Sequence, residues 1–158
     1  MQLEIGYVYH IKNDFFDLVK DKNLMKNHEN NNSRPNYFCI KKENNILWFI
    51  PMSLNIEKYK NIRDMKIKKN GQCDTIVIGK YKSKEQAFLL QNMFPITENY
   101  IDHIDTVRNT AIPVVEGLKQ KLLHKANKLL ILRGKGINLI FPDVDKIKQI
   151  LLNESKDI

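Results

Sequence analysis

Apolar residues in this chain fall into short runs separated by polar turns, and their spacing changes from strand-like to helix-like and back. Residues 5–11, IGYVYHI, read as a strand. Asn13 or Asp14 is placed to cap a first helix running to about Asn27, with Phe15, Phe16, Val19 and Leu24 facing inward. Residues 28–34 form a polar loop in which Asn30, Asn31 and Asn32 suit turn conformations. Strands follow at 37–41 and 46–50, joined by a polar turn over 41–45. Pro51 cannot donate to a sheet ladder, so the second strand is expected to end there. A short helix is expected over 56–65 and a turn at Asn70-Gly71.

The second half continues the mixture. The spacing predicts a strand over 73–79, a short helix over 84–91 and a short strand over 94–96. The longest periodic stretch, 107–127, predicts a helix with Pro113 in its first turn. Val114, Val115, Leu118, Leu122 and Leu123 lie towards one of its faces. Gly134 and Gly136 break the chain, 139–141 reads as a short strand, and Asp143 or Asp145 opens a C-terminal helix. The class is α+β without repeats. No linker-like segment divides the apolar positions, so residues 1–158 are expected to form one domain.

Composition adds an expected kind of partner rather than a fold. The 158 residues carry 26 Lys plus Arg against 18 Asp plus Glu, a net charge of +8. That balance favours a polyanion, usually a nucleic acid. The local density sharpens it: Lys58, Lys60, Arg63, Lys66, Lys68 and Lys69 are offset by Asp64 alone, with Tyr59 among them as a base-stacking candidate. A merely solvated basic surface in a Lys- and Asn-rich chain is the plainer alternative. The hydrophobic fraction of 42% is ordinary. No apolar run reaches the ~18 residues of a membrane helix, and no secretory leader is evident, so cytoplasmic residence is the expectation. Cys39 and Cys73 are expected to be buried free thiols in strands.

Familiar catalytic signatures are missing. There is no GxGxxG, no GxxxxGKS/T and no HExxH, and the two cysteines lack a zinc-like spacing. His10, His28, His103 and His124 are scattered; a two-histidine nuclease would need two of them to converge. His10 follows a strand-like YVY and is expected to be a packed ring. Asp102, His103 and Asp105 are read as a surface connector rather than a metal site. The run 132–136, LRGKG, is read as a helix end and a basic turn.

The stretch over 34–60, RPNYFCIKKENNILWFIPMSLNIEKYK, resembles the type III toxin–antitoxin endoribonucleases of the ToxN/AbiQ group, and most of all their CptN-like branch. The resemblance extends through Tyr9-His10-Ile11, Phe15-Phe16-Asp17, 24–27 (LMKN), 91–96 (QNMFPI) and 136–144 (GINLIFPDV), roughly residues 7–150. It implies a mainly antiparallel, barrel-like α+β domain, distantly like the Kid/MazF toxins. It also implies metal-independent RNA cleavage giving 2′,3′-cyclic phosphate and 5′-hydroxyl ends. The implied partners are a repeated pseudoknot antitoxin RNA, which the toxin processes and which inhibits it, and cellular mRNA. Protein and antitoxin RNA would close into an assembly, and the biological role would be growth inhibition and phage defence by abortive infection. No cofactor and no metal are implied.

Such cleavage needs a group to take the 2′-hydroxyl proton, cations to stabilise the phosphorane and a proton for the leaving 5′-oxygen. Ser53 matches the family serine after the strand-ending proline; its competing role is to cap the following helix. Arg34 is the candidate phosphate clamp and Lys58 the nearest lysine on the C-terminal side of Ser53. Met52 replaces a hydroxyl residue of the relatives, and Leu54 and Asn55 stand where they tend to have a lysine. Asn36 stands where some have a catalytic lysine. Tyr37 is expected to orient a base or to pack in the sheet. Tyr59, Lys60, Lys66, Lys68 and Lys69 complete the RNA-binding candidates, with Gln91 and Asn92 as further ones. The alternative function is a non-catalytic RNA-binding module using residues 58–69.

Overall fold

The computed structural model describes residues 2–29 and 31–156, with side chains to residue 154. In chain order the strands are β1 (Val8–Ile11), β2 (His28–Glu29), β3 (Asn32–Ser33), β4 (Asn36–Lys41), β5 (Leu47–Ser53), β6 (Ile76–Tyr81), β7 (Lys84–Leu89), β8 (Phe94–Ile96), β9 (Ile101–Ile104), β10 (Thr106–Val107) and β11 (Thr110–Ala111). The helices are α1 (Asn13–Val19), α2 (Ile56–Asn70), α3 (Glu116–Gly134) and α4 (Val144–Lys156). The main sheet is antiparallel in the order β6-β7-β5-β4-β1-β9, and β8 pairs with β5 beside β7. The α+β, mainly antiparallel class expected from the sequence is the class observed.

An aromatic cluster ties the sheet to the helices. Phe49 is fully buried, stacked between Phe38 and Phe94 with centroids at 5.1 and 6.3 Å, and meets Tyr9 edge-on at 5.9 Å. Phe15 of α1 stacks on Phe94 at 5.5 Å. Trp48, in the unbroken apolar run 46–50 that suits a strand covered on both faces, is buried, with Lys148 of α4 over its ring. Helix α3 buries Leu122, Ala126 and Leu129. Gly79 lets α3 approach β6, because a Cβ there would stand 2.7 Å from Leu118 Cδ2. A smaller cluster of Tyr59, Cys73, Ile76, Ala87 and Leu89 fastens α2 to β6 and β7. Cys39 and Cys73 are buried free thiols, although Cys73 precedes β6 rather than lying in a strand.

Several sequence expectations are corrected. The largest concerns 84–91, expected as a helix, which is mostly β7. Lys82 and Ser83 both have positive φ (56° and 65°), a two-residue turn that folds β7 back on β6. Pairing with β6 on one side and β5 on the other overrides the helix preference of Lys, Glu, Gln, Ala and Leu. Strand β5 runs through Pro51 to Ser53. Met52 N donates to Pro35 O on the β4 side, so the donorless Pro51 nitrogen faces the opposite side, between the partners β8 and β7.

Helix boundaries move as well. Helix α1 stops at Val19, since Lys20 adopts a left-handed conformation (φ 47°) and the Asp21 carboxylate accepts from Asn23 N. Helix α2 extends to Asn70 and is closed by Gly71 at φ 83°. Residues 107–115 are not helical: Arg108 and Asn109, both at positive φ, turn β10 into β11, and α3 begins at Glu116, after Pro113. Residues 5–7 precede β1 instead of belonging to it, the 28–33 loop contains the β2–β3 hairpin, and 139–141 is not a strand. Of the three turn asparagines, Asn31 has φ 67°, and Asn30 lies outside the described residues.

Phe49→Ala removes the ring on which β1, β4 and β8 converge. A loss of about 3–5 kcal/mol is expected, read by denaturant unfolding of the purified variant. A loss below about 1 kcal/mol would show that the aromatic cluster is not the centre of the core.

Candidate functional site

The sheet curls until its two outer strands meet. A flat sheet in this order would hold β6 and β9 roughly 24 Å apart, at about 4.8 Å per strand step. Instead, Tyr81 at the end of β6 donates its hydroxyl to Asp105 Oδ2, 2.6 Å away, and Asp105 follows β9 directly. The sheet stays open, but this seam is nearly shut. An open cleft of about 580 Å³ lies along the seam and is lined by residues of β1, β3, β5, β7, the β6–β7 turn and the β9–β10 segment.

Asp105 gathers the polar groups of the cleft. His10 Nε2 lies 2.7 Å from its Oδ1, and Lys82 Nζ lies 2.6 Å from its Oδ2. Burial by itself raises the Asp105 pKa; the hydrogen bonds from His10, Lys82 and Tyr81 outweigh it and hold the carboxyl far below the usual range. Burial and the adjoining carboxylate push the Tyr81 phenol up, so it stays a donor. An ionised carboxylate only accepts, so in the neutral ring the proton sits on Nε2. Nδ1 is then the acceptor, and Ser33 Oγ lies 2.6 Å from it. His103 stacks on the His10 ring with centroids 4.5 Å apart and 13° between planes. Two of the four scattered histidines thus converge, because β1 and β9 pair with His10 opposite His103.

A second carboxylate anchors the neighbouring wall. Glu29 Oε2 accepts from the Ser53 hydroxyl at 2.8 Å and from Arg34 Nη1 at 2.9 Å, and its Oε1 accepts from Leu54 N at 3.0 Å. Burial raises the Glu29 pKa, but the Leu54 N–H, the Ser53 hydroxyl and the Arg34 charge lower it further than that. Arg34 is 5% exposed and also donates to Lys26 O and Met52 O, stitching the β2–β3 hairpin to β5. Ser53 is 2% exposed, and its oxygen accepts from Asn55 N at 3.1 Å. It therefore holds the turn before α2 rather than capping that helix from the N-cap position, which is Asn55.

The remaining candidates separate. Met52 lines the cleft while buried, and Asn36 is buried and donates to Arg34 O. Tyr37 packs edge-on against Phe88, fully buried. Tyr59 is buried under α2 and is not an exposed stacking platform. Lys58 stands exposed on the first turn of α2 with Nζ over the Tyr59 ring, 5.3 Å from its centroid. The α2 cations do not share one surface: Lys60 pairs with Glu85, Lys66 turns inward to Thr75 and Gln91, and Lys68 and Lys69 face solvent. Gln91 and Asn92 are buried, the latter donating to Asn23 O. Tyr81, Lys82, Ser33 and Glu29 escaped sequence reading, and Asp105, read there as part of a surface connector, proves largely buried at the seam. Only Glu29 carried a signal, as the one acidic residue between Asp21 and Glu43.

No family model matches the chain, and no curated protein matches it in sequence. Solved structures do match. One is AbiQ, described as a lactococcal anti-phage endoribonuclease belonging to the type III toxin–antitoxin system. It superposes with a TM-score of 0.70 at 16% identity over 97% of this chain and 99% of that one. The chain has the AbiQ fold. A second match, from work on selective toxin inhibition by a non-coding RNA pseudoknot in bacterial type III systems, has a TM-score of 0.68 at 16% identity with the same coverage. This likeness extends over nearly the whole chain.

Both site carboxylates have lowered pKa values in the folded chain. Their stabilisation is complete above the unfolded carboxylate range, about pH 4, and is lost as pH falls below it. The thermal unfolding temperature is expected to drop steeply below about pH 4 and less steeply in Glu29→Gln. Equal slopes for the two proteins would show that Glu29 is not held ionised by Ser53, Arg34 and Leu54.

Proposed function

We propose that this chain is an endoribonuclease toxin of a type III toxin–antitoxin system, with residues 1–158 working as one domain in the cytoplasm. The observation that carries the reading is the seam cleft on an AbiQ-like fold: a histidine ring, hydroxyls and lysines stand together along an open cleft of about 580 Å³. The net charge of +8 suits a folded RNA with its dense phosphate surface. Among the described residues no helix is long and apolar enough to cross a membrane.

Cleavage on this reading is a transesterification. The ribose 2′-oxygen attacks the adjacent phosphorus, leaving a 2′,3′-cyclic phosphate and a 5′-hydroxyl. Lys82 on the β6–β7 turn and Lys84 at the start of β7, with Lys58 and Lys60 on the first turns of α2, supply positive charge for the phosphate. Ser53 and Arg34, locked on Glu29, set the wall against which the RNA rests. The ordered motif series of the CptN-like branch favours a repeated pseudoknot RNA as the inhibitor, cellular mRNA as the target, and a closed protein–RNA assembly. These side chains can perform the reaction without a metal.

Expression without its cognate RNA is expected to arrest bacterial growth. The purified protein is expected to cleave RNA equally with and without EDTA, leaving ends with a cyclic phosphate. RNA bound but never cut would favour the non-catalytic module instead. Activity abolished by EDTA and restored by one divalent ion would overturn the side-chain mechanism. Ser53→Ala is expected to lose about 1 kcal/mol of stability and to relieve the arrest. A folded variant of undiminished toxicity would remove Ser53 from the site.

A further inference from the structure

Resting on the endoribonuclease reading, we propose that His10 is the proton-transfer residue of the seam cleft. It acts on a ribose 2′-hydroxyl that takes the place of Ser33 Oγ. Asp105 is its positioning residue, and Lys82 stands beside the reacting phosphate.

The geometry separates His10 from an ordinary buried histidine. Its two ring nitrogens face partners of opposite character. Nε2 meets an ionised carboxylate at 2.7 Å, and Nδ1 meets a hydroxyl at 2.6 Å. A carboxylate fixed on one nitrogen sets the tautomer and orients the ring, leaving the other nitrogen to accept a proton from a hydroxyl. Ser33 supplies that hydroxyl from a two-residue strand on the cleft wall, where an entering nucleotide can displace it. His103 is stacked on one face of the ring. Asp105 is fixed in turn by Tyr81 and by its own N–H, which donates to Val8 O at 2.8 Å. Lys82 Nζ, 32% exposed as a side chain, lies at the carboxylate and reaches the cleft that a phosphate would enter.

In the reaction, His10 Nδ1 takes the 2′-hydroxyl proton as the O2′–P bond forms. The P–O5′ bond breaks with its electron pair on O5′, which takes a proton from water. The imidazolium then returns its proton to solvent. Asp105 stays ionised throughout and stabilises the transient cation.

The test uses the full chain with total bacterial RNA to map a cut site, then an oligonucleotide spanning that site for kcat and KM. His10→Gln is expected to lower kcat by about 10²-fold or more with KM nearly unchanged. Added imidazole is expected to restore part of the activity of His10→Ala. Asp105→Asn, nearly isosteric, is expected to lower kcat at least tenfold without raising KM, and it carries the test if the His10 variants do not fold. A folded His10→Gln or Asp105→Asn protein with wild-type kcat overturns the assignment while leaving the endoribonuclease reading intact. Total RNA left uncut by the wild-type protein removes that reading, and the assignment with it.

Discussion

The Asp105 carboxylate accepts from Tyr81, Lys82 and His10, groups that come from opposite ends of one sheet. No backbone ladder joins β6 to β9, so side chains do the joining. Curling the sheet that far brings the edges close enough to share a buried acid, and the acid rewards the curl by staying ionised among three donors. Removing any one donor would leave a desolvated charge less well satisfied, which is costly inside a protein. The cleft follows from the same constraint: a sheet that nearly closes, held by side chains rather than by a ladder, leaves a gap lined by polar groups.

Glu29 does for the neighbouring wall what Asp105 does at the seam. In a chain of net charge +8, an acid on the β2–β3 hairpin collects a buried arginine, a serine hydroxyl and a backbone N–H. Arg34 then reaches two carbonyls, so one guanidinium holds hairpin, strand and turn together. The two carboxylates stand on adjacent walls of one cleft and leave the outer lysines to face solvent.

The AbiQ-like fold is reached here at 16% identity, which places the weight of the likeness on layout rather than on shared side chains. In this chain the layout rests on an aromatic core around Phe49, a glycine where α3 crosses β6, and left-handed turns at Lys82-Ser83 and Arg108-Asn109. Non-glycine residues occupy both turns, so neither announces itself as the usual Asn-Gly pair would.

The amino-acid sequence by itself determined the α+β class, the strands β4, β5 and β8, the buried Trp48 and Cys39, and the C-terminal helix whose first turn Asp143 caps. These follow from local apolar runs and local hydrogen bonding, which a linear reading contains. It also pointed to the Ser53 and Arg34 neighbourhood through an ordered series of short motifs. Tertiary structure alone decided that 84–91 is a strand, because two flanking ladders outweigh the preferences of its residues. It alone distributed the α2 lysines around their helix and buried Tyr59. It alone brought His10 to Asp105, 95 positions away in the chain, with Ser33 and Lys82 beside them. Contacts of that separation depend on how far a sheet curls, and no local pattern of polar and apolar residues encodes the curl.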